Sequence, residues 1–332
     1  MKTRFIFNPH SGKNRRNPNL VPAIRTFIAD QSLDATIVST EAPGHATELA
    51  RAAVAEGCSR VVAVGGDGTM NEVAQALIGT SAALGLIPCG SGNGLALHLN
   101  IPTEPQRALR LLADEHRRVA VIDTGSANGH SFCNAMGLGF DAEISRRFNR
   151  LDRRGLLAYA RAGFAAFASH QPKRCVVVGH LLRRPVNAFI VAVANSDQYG
   201  NRAFIAPRAR IDDGLLDLVV IGPVNVFSAI PLVARLFLGT LDQSRHVLRS
   251  SGVRFVIERA AAGLIHTDGE THATGASIEV IVRPHSLRII VPGNSRARKE
   301  GLEANQPSFP GSENRPEPTL AATLGQPGGL PP

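Results

Sequence analysis

The sequence predicts an α/β N-terminal doubly wound domain followed by a β-rich, sandwich-like C-terminal domain. Three observations predict it. Strand-like and helix-like stretches alternate through residues 1–125, and short β-branched runs crowd residues 126–294. Three loops bearing glycine or polar residues, Asn8–Gly12, Gly65–Thr69 and Gly90–Gly94, each directly follow a strand-like run. Helices alternating with strands argue for a parallel sheet with crossover connections. Ligands of such sheets bind beyond the carboxyl ends of the strands, so the three loops should share one edge.

The elements follow in order. RFIFNP reads as a strand ending in a loop, VPAIRTFIAD as a helix and DATIVST as a strand. HATELARAAVAEG is helical with a stop at Gly57, and SRVVAVGG is a strand. TMNEVAQALIG is a helix, AALGLIPCGSGN a strand ending in a glycine loop, and EPQRALRLLADEH a helix. From residue 126 the texture changes. Strands meet at an Asn128-Gly129 turn, CVVVGHLLRRPVNAFIVAVANS supplies two more, and GLLDLVVIGP, SGVRFVIERA, LIHTDGE, SIEVIVRP and SLRIIVPG follow. That density argues for an antiparallel sandwich or barrel, with helical interruptions at 150–169 and 224–240. The last strand is a candidate to return to the first domain. Seven of the 21 prolines lie between Pro307 and Pro332, among Gly, Ser, Asn and Glu. Such a composition buries too little apolar surface to order itself, so residues 295–332 are expected to form a disordered tail.

Composition narrows the function classes. Hydrophobic residues make up 44% of the 332 and charged residues 19%, a mixture that can bury a core. No run of 18 uncharged apolar residues is present, so no membrane span is expected. The N-terminal MKTRFIFNPHSGK lacks the apolar length of a secretory signal. Four cysteines without a CxxC pair suggest neither a disulfide framework nor a zinc site. The expected location is the cytoplasm. A net charge of +9 favours an anionic partner: a nucleotide, a nucleic acid or an acidic lipid surface. An arginine-rich source proteome would give the same charge. Aromatics are only 5% and do not interleave with basic residues, which argues against nucleic acid.

The loops carry the chemistry. In VVAVGGDGTMNEVAQAL a strand, a glycine turn and a helix N-terminus would gather backbone N–H groups around one point, where the helix dipole favours an anion. Gly65, Gly66 and Gly68 would let phosphate approach and permit positive φ, and Thr69 would cap the helix or donate to a phosphate oxygen. The spacing is neither GxGxxG nor GxxxxGK[ST]. A tight turn serving geometry alone remains the alternative. NPHSGK and PCGSGNG suit phosphate or sugar, or are plain turns. In TDGE, Asp268 and Glu270 stand at i and i+2, so in an extended segment both carboxylates share one face. The alternative there is an Asp-Gly turn.

In this order, NPHSG, GGDGTMNEV, GSGNGLALHL, IDDGLLDLVV and TDGE resemble the diacylglycerol kinase catalytic-domain family, which includes bacterial lipid kinases and sphingosine kinases. The resemblance covers about residues 3–292. GGDGT alone is shared with NAD kinases and phosphofructokinases; all five motifs in order are far more specific. The resemblance implies a two-domain clamp with the active site in the cleft. Asn8, Pro9, His10, Ser11 and Gly12, with Thr40, would line the ATP site from the first two strands. Gly65, Gly66, Asp67, Gly68, Thr69, Asn71 and Ser91 would complete it. Glu270 would be the general base, with Asp268 and Asp67 as catalytic carboxylates. Mg²⁺ would be held by Asp213 and the carbonyls of Arg210 and Leu215, and a second ion would accompany ATP near Asp67. Asp141, in GLGFDAEI, would contact the lipid head group.

The expected activity is ATP-dependent phosphorylation of a lipid hydroxyl, on diacylglycerol or a sphingoid-like lipid. Residues 145–168 join arginines to Leu, Phe and Tyr and suit peripheral contact with an anionic membrane surface. Residues 227–241 are apolar and suit an acyl-chain pocket, or simply a core. A homodimer is compatible with the sequence. The rivals are a soluble kinase of NAD-kinase type and a non-catalytic nucleotide- or lipid-binding regulator.

Overall fold

Runs of β-branched residues buried on both faces become central strands of a parallel sheet. Strands β1 (Thr3–Phe7), β3 (Arg60–Gly65) and β4 (Ala83–Pro88) are buried along their whole length, while β2 (Ala35–Ser39) forms the sheet edge. In the computed structural model, which describes residues 2–12, 14–140, 142–143, 172–179, 182–295 and 297, the four strands pair in parallel in the order β2-β1-β3-β4. Helices α1 (Leu20–Asp30) and α5 (Pro105–Leu111) share one core with Phe5, Val62 and Ile87. Helices α2 (His45–Ala55) and α3 (Asp67–Leu77) share the other with Ile6, Val61 and Leu84. Between β4 and α5 lies a further short helix, α4 (Gly94–His98).

The β-rich half is a sandwich. Its first layer continues the parallel sheet through β16 (Ser277–Val291), β13 (Arg254–Arg259), β8 (Lys173–Val178) and β9 (Arg183–Ala188), with β5 (Arg118–Ala127) attached to β16 and β6 (His130–Phe132) to β5. Its second layer has the order β12-β11-β10-β7-β14-β15, from β7 (Ala135–Gly139), β10 (Ile190–Ala194), β11 (Leu216–Ile221), β12 (Val247–Gly252), β14 (Gly263–Thr267) and β15 (Glu270–Thr274). Phe132, Met136, Val191, Phe255 and Val280 fill the space between the layers. Helix α6 (Val226–Leu238) covers the outer face of the second layer through Leu232.

Several boundaries differ from expectation. SIEVIVRP and SLRIIVPG form one 15-residue strand rather than two. Its register on β5 shifts between Arg283 and Leu287, where His285 has φ 49°. The bulge accommodates Pro284, which a continuous ladder would reject. Beyond the bulge β16 pairs in parallel with β4 at Arg288 and Ile289, so the last strand does reach the first sheet. Packing continues past residue 295. Arg118 donates to the carbonyls of Ser295 and Ala297, and Ala297 is buried. The helix expected at 150–169, Asp141 and residues 298–332 lie outside the described residues.

Candidate functional site

The three loops meet at the carboxyl end of the parallel sheet. Asn8 N–H donates to the Val64 carbonyl at 3.0 Å and Cys89 N–H to the Gly65 carbonyl at 2.7 Å. Asn8 Nδ2 reaches Thr69 Oγ1 at 2.8 Å, while its Oδ1 accepts from His10 N–H at 2.9 Å. Ser11 Oγ donates to the Cys89 carbonyl at 3.4 Å. Thr40, at the end of β2, is buried and its N–H donates to Phe7 O. Pro9 and Gly12 lie in the same loop as Asn8, and Ser91 is exposed on the third loop.

The glycines do different work. A Cβ on Gly65 would stand 2.5 Å from Thr69 Oγ1, and one on Gly90 would stand 2.7 Å from the Gly66 Cα. Gly65 thus makes room for the first turn of its own helix, and Gly66 and Gly90 for the close packing of one loop on the other. None of Gly65, Gly66 and Gly68 has positive φ, so the expected conformational role is not used there. Gly68 is exposed in the first turn of α3, and apart from its chain neighbours and its own helix backbone no atom lies within 4 Å of where its Cβ would be. That open space sits at a helix N-terminus with no side-chain cap, beside backbone N–H groups that favour an anion. Thr69 does not cap the helix; it stands within the first turn, with its hydroxyl engaged by Asn8.

Asp67 clamps the third loop. Its two oxygens accept from Asn93 and Gly94 N–H, each at 2.8 Å. Burial raises its carboxyl pKa above the usual range, against those two N–H groups. Asn71, one turn further along α3, is buried with neither amide atom hydrogen-bonded. An unmet buried amide is costly and marks a place where a ligand or water completes the site.

The TDGE segment is a hairpin turn, not an extended pair. Asp268 and Gly269 have φ of 49° and 88° and join β14 to β15 in a two-residue connection. The shared-face geometry expected for Asp268 and Glu270 is therefore absent. Asp268 instead accepts from the N–H groups of Cys133, Asn134 and Ala135 at 2.7, 2.9 and 3.0 Å. Burial nonetheless raises its pKa to about 6, and the Asp67 charge adds to the rise. The two lobes thus bring Asp67 and Asp268 within electrostatic reach. Glu270 begins β15 and is exposed.

Sequence reading missed the supports of this hairpin. Asn195 Nδ2 bridges the carbonyls of Asp123 and Cys133 at 2.9 and 2.8 Å, and Ser196 Oγ donates to Asn134 Oδ1 at 3.0 Å. His98 Nδ1 lies 2.8 Å from Asp197 Oδ1, tying α4 to the loop after β10. His272 meets Thr267 Oγ1 at 2.8 Å and stacks on His130 with centroids 3.9 Å apart. Burial, then the neighbouring His130 and His266, lowers its pKa to about 4, which keeps it neutral at pH 7. The polar ANSDQYG run after an apolar strand was the available signal.

The IDDG loop is crowded with acids. Asp123, fully buried, accepts from Gly214 and His285 N–H, both at 2.7 Å. Asp213 Oδ1 accepts from Leu215 N–H at 3.1 Å, and Asp212 lies 3.6 Å from Arg210 Nε. Burial raises the pKa of Asp213, and the charges of Asp217 and Asp123 raise it further. Mutual repulsion among hard oxygen donors fits a divalent cation such as Mg²⁺. Among the described residues, no group of three or more His, Cys, Asp or Glu side chains is disposed to hold a metal, so main-chain carbonyls would have to contribute. Helix α6, expected to line an acyl-chain pocket or a core, is not a core helix on this face: Phe227, Ile230 and Leu238 are 87, 67 and 74% exposed. Residues 145–168, where membrane contact was expected, lie outside the described residues.

Comparison with known proteins places this geometry. Residues 2–127 match the model of the diacylglycerol kinase catalytic domain, and residues 134–291 match the YegS C-terminal NAD kinase beta sandwich-like domain. A relative from Salmonella arizonae named "Probable lipid kinase YegS" is 30% identical over 291 residues, covering 85% of this chain and 94% of the relative. The chain belongs to the diacylglycerol kinase catalytic-domain family. Another member, a "Probable lipid kinase YegS-like" from Yersinia pestis, is 28% identical, covering 88% of this chain and 97% of the relative. A crystal structure described as a diacylglycerol kinase from Bacillus anthracis shares the fold with a TM-score of 0.66 at 20% identity, covering 87% of this chain and 96% of that one. The first match takes in the parallel strands β1 to β4 with their helices, and the second takes in most of both sandwich layers. Among the described residues, no helix is long and apolar enough to cross a membrane.

Proposed function

We propose that the chain is an ATP-dependent lipid kinase that transfers the γ-phosphate to a lipid hydroxyl. The observation that carries the reading is the open space over Gly68 at the uncapped N-terminus of α3, next to Asp67, whose charge acts on Asp268 of the other lobe. Asn8, Ser11, Gly66 and Gly68 would bind the nucleotide phosphates through side chains and backbone N–H groups, with Thr40, Asn71 and Ser91 completing the nucleotide site. Asp67 would hold the third loop against them. Asp268 would orient the hairpin through its three N–H partners. Glu270 would accept the hydroxyl proton on a carboxylate oxygen as the hydroxyl oxygen bonds to phosphorus and the bridging oxygen leaves with ADP. Magnesium, held at Asp213 and the carbonyls of Arg210 and Leu215, would supply charge neutralisation and order to the IDDG loop. Asp141 is the candidate contact to the lipid head group.

Incubating the protein with labelled ATP and a total lipid extract tests the reading, with the product identified by mass spectrometry. A labelled phospholipid is the expected result. A kinase of NAD-kinase type draws support from the description of the second domain model. Label appearing on NAD⁺ and on no lipid would replace the proposal with that reading.

A further inference from the structure

Helix α6 turns hydrocarbon toward solvent. Phe227, Ile230, Val233, Phe237 and Leu238 are all exposed, and Pro231 and Ala234 lie on the same arc at 100° per residue. Leu232, on the opposite side, is packed on the second sheet. The one charged residue of the helix, Arg235, bends back to the Thr240 carbonyl at 3.3 Å. A helix of a water-soluble surface carries charged residues on its outer face. A continuous stripe of large apolar side chains marks a docking surface.

Cations adjoin the stripe at its C-terminal end. Asp242, four residues beyond Leu238, is buried between Arg208 and Arg249, each 2.8 Å from its Oδ2. Arg208 and Arg245 are exposed. Residues 202–249 hold six arginines and four aspartates. The stretch is therefore net positive, and Arg202, Arg208, Arg210, Arg245 and Arg249 are exposed, whereas Asp212 and the Asp242 side chain are buried. Hydrocarbon beside guanidinium groups complements an anionic bilayer, whose acyl boundary takes the one and whose phosphates take the other. A second copy of the chain would set the same positive charge against itself.

We propose that α6 is a membrane-docking element whose exposed stripe enters the surface of an anionic leaflet. The inference deepens the lipid-kinase reading and rests on it for the need to reach a membrane. The chain has no tryptophan, so Phe237→Trp in the full-length protein gives a single interfacial reporter. The probes are unilamellar vesicles of phosphatidylglycerol with phosphatidylcholine, and of phosphatidylcholine alone, without ATP. The expected result is a blue-shifted emission, quenched by brominated lipid, with the anionic vesicles. Combined Phe227→Gln, Ile230→Gln and Phe237→Gln should weaken sedimentation with those vesicles by about tenfold or more. Its melting temperature and its turnover on a short-chain lipid in detergent micelles should match wild type. Three results would overturn the proposal: unchanged emission while the protein sediments, equal sedimentation of the triple variant, or a dimer abolished by the triple variant without vesicle binding. Failure of the kinase reading is distinguishable, because vesicle binding would persist while no lipid in the extract is labelled.

Discussion

At the scale of single residues, Gly68 and Asp268 carry the sharpest expectations. A methyl at Gly68 meets nothing within 4 Å beyond its chain neighbours and its own helix backbone, and alanine is the better helix former by up to about 1 kcal/mol. Gly68→Ala should therefore keep or raise the melting temperature. Nucleotide affinity should fall by about tenfold or more, because the methyl enters the space assigned to phosphate; unchanged affinity by calorimetry would place the nucleotide elsewhere. Asp268 has a folded-state pKa near 6 against an ordinary 3.8. The folded protein thus holds this proton more tightly than the unfolded chain, and stability from this group declines as pH rises from 3.8 to about 6. Activity should move the other way, since the ionised carboxylate best accepts three N–H groups. An acid limb in kcat/KM near pH 6 is expected, and a flat profile from pH 5 to about 7 would remove Asp268 from the positioning of the hairpin.

At the scale of elements, local sequence made some features legible and hid others. The strand, glycine loop and helix N-terminus at Gly65–Thr69 are consecutive, so their placement follows from neighbours in the chain. The partners of Asp268 lie about 135 positions away, at Cys133 to Ala135, and no pattern within TDGE announces them. Pro284 read as a strand end, because a bulge that saves the ladder depends on β5 alongside. Asp123 was visible as one acid in the apolar run RVAVIDTG, but its partners Gly214 and His285 come from distant turns. The start of α6 was legible and is testable. Asn225 Oδ1 accepts from Ser228 N–H at 2.9 Å, and Ser228 Oγ accepts from Asn225 N–H at 2.9 Å. Asn225→Ala should cost about 1 kcal/mol by urea denaturation while micellar turnover stays unchanged. A loss below the resolution of the measurement would mean that packing of Leu232, not the cap, holds the helix end.

At the scale of the whole molecule, two lobes share one framework. Strand β16 pairs with β4 at one end and with β13 at the other, and the His98–Asp197 contact closes the gap between α4 and the β10 loop. In the proposed reaction that framework would let loops of the parallel sheet bind the nucleotide while a hairpin of the sandwich takes the proton. The division of labour is tested most directly by Glu270→Gln, which keeps shape and hydrogen bonding but removes the base. With ATP affinity from equilibrium binding and turnover on the identified lipid measured together, kcat should fall by about 10²-fold or more while ATP affinity holds. Unchanged turnover, or loss of ATP binding in parallel with turnover, would contradict it.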